Sequence, residues 1–308
     1  MTSPPGEGGS GQPGHSGRFA PSPTGALHLG NLRTALLAWL FARSAGAPFL
    51  VRMEDLDQGR VQAGSAEQQL RDLRAIGLDW DGEVVFQSHR HDAYAAALER
   101  LVADRRVYEC FCTRAEIRAA ASAPHGPLPE GAYPGTCLGL TEAERRRKRA
   151  GGRPPALRVR ADAARVAFTD RLQGPQDGVV DDFVVRRNDG TPAYNLAVIV
   201  DDAWQEIGEV VRGDDLLDST PRQLFLAGLL GLDAPTYAHV PLVLGPDGAR
   251  LAKRHGAVTL AELDPDRAVR WLAATLGMAR AASAAEMRER FDPQALPRSP
   301  VTVERSKV

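Results

Sequence analysis

Four groups of residues have the types and spacing that chemistry requires. In Pro21-Ser22-Pro23-Thr24-Gly25-Ala26-Leu27-His28-Leu29-Gly30-Asn31 an imidazole and a glycine stand two residues apart, where a Pro/Gly-rich turn gives way to helical spacing. A helix start offers unpaired backbone N–H groups to an anion, His28 can donate to phosphate oxygens, and Gly30 leaves room for a ligand near the backbone. Together they suit a nucleoside triphosphate. The chain has 38 lysines plus arginines, of which only Lys148, Lys253 and Lys307 are lysines. Lys253, between Gly248 and Gly256, is therefore either a flexible point charge for a phosphate or a solvated loop lysine. Arg18 and Arg212 offer cations at the ends of expected strands, and Glu54 offers an anion at the end of another. Cys110, Cys112 and Cys137 lie close together; an odd, clustered set without a secretory signal points to a metal site or to unrelated core thiols.

The elements that must position these groups can be read from periodicity. Arg18 to Ala20 end a short strand at the Pro/Gly turn, and Leu29, Leu32, Leu36, Leu37, Trp39 and Leu40 then recur at helical spacing until Gly46. Phe49 to Met53 reads as a second strand, so the opening forms a βαβ unit of the nucleotide-binding type. Its strand ends converge at the carboxyl edge of a parallel sheet, where such folds bind ligands. Helical patterns follow over 64–77 and 90–105.

From Cys110 to Pro155 the chain is rich in Gly, Pro and Arg, after which Leu157–Arg160 and Phe183–Arg186 resemble strands of a smaller sheet. The second half resumes with Tyr194 to Asp202, a strand over Glu209–Gly213 and a helix whose expected N-cap is Thr220, with Pro221 at its first position. The expected organisation is a disordered tail over 1–17, a first half-domain over 18–105 and an insertion over 106–190. A second half-domain covers 191–247, and a lysine loop with a short helical segment covers 248–308.

The bulk properties are those of a soluble globular chain: 43% hydrophobic residues, 25% charged and a net charge of -1. That balance neither advertises nor excludes nucleic acid, because a local basic face can coexist with acidic surface. No apolar run reaches the roughly 18 residues that span a bilayer, and residues 1–17 lack the basic and apolar regions of a signal peptide. A cytoplasmic location without a membrane partner is expected.

The His28 run resembles the HIGH signature of the class I aminoacyl-tRNA synthetases in the form used by the glutamyl group, and Arg250-Leu251-Ala252-Lys253-Arg254 is similar to the partner KMSKS loop. The resemblance continues through Arg18 to Ser22, Glu54, the Cys-x-Cys segment, Tyr194 and Arg212-Gly213-Asp214-Asp215, and covers about 17–280. Two departures stand out. Arg250 and Ala252 replace a lysine and a serine of the loop, and Asn31 stands where many relatives have a second histidine.

The resemblance implies an α/β, Rossmann-type parallel-sheet catalytic domain with an inserted α+β zinc-containing subdomain and a short helical C-terminal segment. It implies a ligase that activates L-glutamate with ATP and Mg²⁺. The length and the missing C-terminal half point to a branch of the group without an anticodon-binding domain. Enzymes of that branch transfer glutamate to queuosine in the anticodon loop of tRNA(Asp), whereas their full-length relatives charge the tRNA 3′ end. The implied catalytic residues are His28 and Lys253, which with Gly30 and Asn31 would bind ATP. The implied glutamate site is Arg18, Phe19, Ala20, Pro21, Ser22, Glu54, Tyr194 and Arg212, with either arginine available to the γ-carboxylate.

One structural zinc is implied at Cys110, Cys112 and Cys137, with Tyr133 or His125 in the fourth tetrahedral position. A monomer is expected. The run Arg145 to Arg149 is either a solvated helix face or a phosphate-backbone contact. Asp201-Asp202 and Asp214-Asp215 are expected to be structural, near the nucleotide pocket.

Overall fold

The computed structural model describes residues 15–121, 132–251 and 258–303. A seven-stranded sheet forms its centre, in the order β3-β2-β1-β9-β10-β6-β7. Its strands are β1 (Ser16–Phe19), β2 (Phe49–Met53), β3 (Val85–Phe86), β6 (Arg165–Asp170), β7 (Gly174–Val179), β9 (Ile207–Gly213) and β10 (Thr236–Val240). All neighbours run parallel except the β6–β7 hairpin.

The helix α1 (Leu29–Ser44) links β1 to β2. Buried residues occur all round it, from Leu29 and Leu32 to Phe41, as befits a helix covered by the sheet on one side and by later elements on the other. Those covering elements are α8 (Pro265–Thr275) and α9 (Ala284–Glu289). Strand β2 spans the segment expected from periodicity. The helices α2 (Ser65–Ala75) and α3 (His91–Ala103) fall within the expected helical segments.

A three-stranded antiparallel sheet, β4 (Val107–Cys110), β5 (Ala156–Val159) and β8 (Val184–Arg186), carries the cysteine segment together with α4 (Arg114–Ala121) and α5 (Glu142–Ala150). The β6–β7 hairpin lies between β5 and β8 in sequence, yet it extends the central sheet by pairing with β10 at Asp170 and Tyr237. A short pair, β11 (Val243–Leu244) and β12 (Val301–Thr302), returns the C-terminal segment to the lysine-loop region.

Tyr194 to Asp202 lie in a helix, α6 (Tyr194–Trp204), whose apolar face packs against α3 and α7 (Thr220–Leu230). The expected Thr220 N-cap is corrected: Ser219 occupies the cap without a side-chain bond, and Thr220 is the first helical residue. Its hydroxyl is taken by Arg212 instead, at 2.8 Å. Pro221 does lie in the first turn. Among the described residues no helix is long and apolar enough to cross a membrane.

Candidate functional site

The parallel register brings the carboxyl ends of β1, β2, β9 and β10 to one edge. Arg18 lies one residue before the end of β1 and is buried. It donates from Nε to Asp202 Oδ1 at 3.2 Å. The same carboxylate accepts from Arg52 Nη1 at 2.8 Å, and Arg52 Nη2 reaches Glu54 Oε1 at 3.4 Å. Burial alone would raise the Asp202 carboxyl, but the two guanidinium groups hold it below its usual range. At Glu54 burial wins over the attraction of Arg52 and Arg18, and the carboxyl is pushed up. A carboxylate in that state gains from one more cation, such as an ammonium.

Arg212, one residue before the end of β9, is equally buried but has different company. Nε donates to His239 Nε2 at 3.0 Å, Nη1 to Gln223 Oε1 at 2.8 Å, and Nη2 to Thr220 Oγ1 at 2.8 Å and to the Leu216 carbonyl at 3.3 Å. All four acceptors are uncharged. Among the described residues no carboxylate oxygen lies within 4.0 Å of this guanidinium, whereas Arg18 meets Asp202 and Arg52 meets Asp202, Glu54 and Asp201. Its planar face lies 5.1 Å from the centre of the Tyr237 ring. Tyr194 keeps 39% of its surface exposed, but its phenol is crowded by protein atoms and by the charges of Glu54, Arg212 and Arg18. Burial and the nearby Glu54 raise its phenol, and Arg212 and Arg18 act in the opposite direction. The structure thus brings Arg18, Glu54, Tyr194 and Arg212 into one charged cluster.

The loop between β1 and α1 is fixed by Gln69 of α2, which donates to the carbonyls of Ser22 at 3.1 Å and Gly25 at 2.7 Å. Gly25 needs its φ of 130°, a backbone conformation that side chains disfavour. Phe19 and Pro21 are buried and Ala20 is half-buried. Ser22 is exposed, and the Pro21 carbonyl accepts from Glu54 N at 2.9 Å, tying the loop to the end of β2.

His28 is the N-cap of α1: its Nδ1 accepts from Asn31 N and the Asn31 amide oxygen accepts from His28 N, both at 3.3 Å. An unprotonated Nδ1 places the proton on Nε2, where it is a donor. A Cβ at Gly30 would meet the His28 ring at 3.0 Å, so the glycine makes room for the imidazole; the sequence had suggested room for a ligand. Lys253 lies outside the described residues. Both flanks of its loop are placed: Leu251 N bonds the Val243 carbonyl at 3.0 Å, and the Val258 carbonyl accepts from Leu29 N at 3.1 Å, at the start of α1. Arg250 forms an ion pair with Asp215.

The three cysteine sulfurs lie within 4.8 Å of one another. Tyr133 Oη is 3.4 Å from Cys110 Sγ and 3.7 Å from Cys112 Sγ, and Cys112 and Cys137 sulfurs are 3.5 Å apart. Zn–S bonds of about 2.3 Å in a tetrahedron put sulfurs roughly 3.8 Å apart, so three thiols and a phenol form a set of donors of the right size. Burial pushes the Cys112 thiol up to about 12, and burial with the adjacent thiols raises Tyr133 further. The Arg158 guanidinium stacks 3.6 Å over the Tyr133 ring. His125 lies outside the described residues.

The basic run forms α5, capped by Thr141 and Glu144, and is mostly exposed; Arg149 is held by Glu109 and Glu142.

Several residues of the cleft escaped the sequence reading: Arg52, Gln69, Asp170, Gln223, Tyr237 and His239. Two left a signal. Arg52 interrupts the apolar strand Phe-Leu-Val-Arg-Met two residues before Glu54, on the same face, and His239 stands alone in Tyr-Ala-His-Val. A charged or polar group inside a buried strand requires a partner.

Comparison with known proteins places this geometry. The family described as "tRNA synthetases class I (E and Q), catalytic domain" matches residues 16–303. A glutamyl-Q tRNA(Asp) synthetase of Nocardia farcinica is 59% identical over 292 residues, 93% of this chain and 92% of its own. One of Symbiobacterium thermophilum is 51% identical, with 93% and 95% covered. The crystal structure of a glutamate-tRNA synthetase from Elizabethkingia anophelis superposes with a TM-score of 0.81 at 29% identity, covering 95% of this chain and 68% of its own.

Proposed function

The chain belongs to the class I tRNA synthetases for E and Q, sharing the fold of their catalytic domain, and from that membership we propose that it is an ATP-dependent ligase that activates L-glutamate and transfers it to queuosine in the anticodon loop of tRNA(Asp). The observation that carries the amino-acid choice is the buried Arg212 guanidinium without a carboxylate partner. A buried cation held only by neutral acceptors is completed by an anion, and glutamate carries one carboxylate more than glutamine. In this reading Arg212 takes the γ-carboxylate, helped by the Tyr194 hydroxyl. Arg18, already neutralised by Asp202, lines the pocket beside it. Glu54 receives the ammonium, which relieves the cost of its buried charge.

The α-carboxylate then faces the start of α1. One of its oxygens attacks the α-phosphorus of ATP as the bond to pyrophosphate breaks, giving glutamyl-adenylate. The His28 Nε2–H, the helix N-terminus and Lys253 stabilise the negative charge on the phosphates, part of which would be offset by Mg²⁺ bound with ATP. In the second step a hydroxyl of the queuosine cyclopentenediol attacks the acyl carbon, AMP leaves, and the hydroxyl proton passes to the departing phosphate or to solvent.

Cys110, Cys112, Cys137 and Tyr133 would hold a zinc ion whose role is structural: it ties β4 to the loop after the cysteines, next to the exposed basic helix α5. The relatives that share more than nine-tenths of both chains support queuosine as acceptor, since their names specify it. Glutamate-dependent ATP–pyrophosphate exchange without tRNA tests the first step; its absence with zinc and Mg²⁺ supplied contradicts the reading.

A further inference from the structure

Behind Arg212 stands a second buried pair that the reaction as described does not use. His239, on β10, is directly opposite Arg212 in the parallel register of β9 and β10, and both it and Asp170 are buried. Asp170 Oδ2 lies 2.6 Å from His239 Nδ1. Asp170 is itself fixed: it accepts from the backbone N–H groups of Leu172 and Gln173 at 2.9 Å, and from His239 N at 3.2 Å. On the other side of the ring, Nε2 receives the Arg212 Nε–H at 3.0 Å.

A guanidinium has no lone pair to offer, so Nε2 must be the unprotonated nitrogen and Nδ1–H must point at Asp170. The carboxylate therefore sets the tautomer, and the tautomer makes the ring an acceptor for Arg212. Tyr237 stacks on the ring, centroids 5.9 Å apart and planes 7° apart, which limits its rotation. Gln223 and Thr220 hold the other edge of the guanidinium.

We propose that Asp170 and His239 are positioning residues that orient the Arg212 guanidinium to read the second carboxylate of the substrate. The inference rests on the assignment of glutamate to this cleft. Neither residue touches substrate. Their effect is to hold a flexible cation in one rotamer before the ligand arrives, so that binding does not have to order it.

The test is glutamate binding to the full-length zinc-loaded protein by isothermal titration, with ATP binding and thermal unfolding measured alongside. The variant H239F keeps a ring to stack on Tyr237 but removes both nitrogens, and H239Q returns an acceptor at the position of Nε2. We expect H239F to weaken glutamate at least about tenfold and to leave ATP affinity within about twofold. H239Q is expected to recover most of that loss. Competition by glutamine is expected to change little in H239F, so that the preference for glutamate over glutamine falls.

Nitrogen-15 imidazole spectra of the wild-type protein read the tautomer directly and should show His239 protonated on Nδ1. Unchanged glutamate affinity in folded H239F overturns the inference, as does an Nε2-protonated ring. A wild-type protein that binds no glutamate overturns the substrate assignment itself, a distinct outcome.

Discussion

Arg18 and Asp202 form a buried ion pair across 184 residues of sequence, Nε to Oδ1 at 3.2 Å, with Arg52 on the same carboxylate at 2.8 Å. One aspartate on α6 therefore pairs with cations from two adjacent strands. Replacing Asp202 with asparagine leaves the buried Arg18 guanidinium without its carboxylate partner, while Arg52 keeps Glu54 and Asp201. The expected cost is about 3 to 5 kcal/mol of stability. Chemical unfolding of D202N checks it, and a change below about 1 kcal/mol contradicts the network.

Arg212→Gln removes the cation that lacks a carboxylate partner. Losing one member of a desolvated, hydrogen-bonded charge pair costs roughly 2 to 5 kcal/mol of binding, or about thirtyfold or more in affinity. The KM for glutamate in pyrophosphate exchange should rise by at least that factor, with the KM for ATP little changed. Arg18→Gln, whose charge is already balanced, is expected to lose stability as well as affinity.

Lys253 is the lysine of the loop whose following residue Val258 reaches the start of α1. Lys253→Ala is expected to reduce the exchange rate by more than about a hundredfold, in line with loss of a phosphate-stabilising group, with glutamate binding little altered. Equilibrium binding beside single-turnover adenylate formation separates the two effects.

The contribution of His239 to stability should fall in mild acid. Burial lowers His239 below its ordinary 6.5 by more than Asp170 and Asp214 raise it, so the folded state keeps the ring neutral where the unfolded state protonates it. The unfolded chain then binds more protons below about pH 6.5, and stability is lost as pH drops from there. Asp170 follows at lower pH: burial would raise its carboxyl, but His239 and the backbone N–H groups of Gln173 and Leu172 hold it below 3.8, so its contribution disappears only as pH falls through that depressed value. Thermal unfolding of the wild type and H239Q between pH 7 and 5 reads it: the stability difference between the two should shift against the wild type as pH falls.

The thiol–phenol cluster predicts one zinc per chain. Cys137→Ser should lower metal content and make the segment around β4 more sensitive to proteolysis while leaving the central sheet folded. Elemental analysis with limited proteolysis reads both.

The parts of the site carried by local pattern were legible in the sequence. His28 is identified by the turn before it and the helix after it, and the β2 segment by its apolar run, because those signals span a few residues. What decides the character of each arginine is not local. Arg18 and Arg212 look alike in sequence, each near the end of a strand, and differ only in whether a distant aspartate or a distant histidine meets them. The same limit explains Thr220, whose pattern reads as a helix cap but whose hydroxyl is claimed by Arg212. It also explains the β6–β7 hairpin, which lies inside an apparent insertion and is drawn into the central sheet by pairing with β10.

The central claim is the transfer of glutamate to a modified base, and it is tested most directly by incubating the protein with ATP, labelled glutamate and tRNA(Asp) with and without queuosine, followed by nuclease mapping of the label. Label is expected only on queuosine-containing tRNA, in the anticodon-loop fragment. Label at the 3′ end, or equal labelling of tRNA that lacks queuosine, would contradict it.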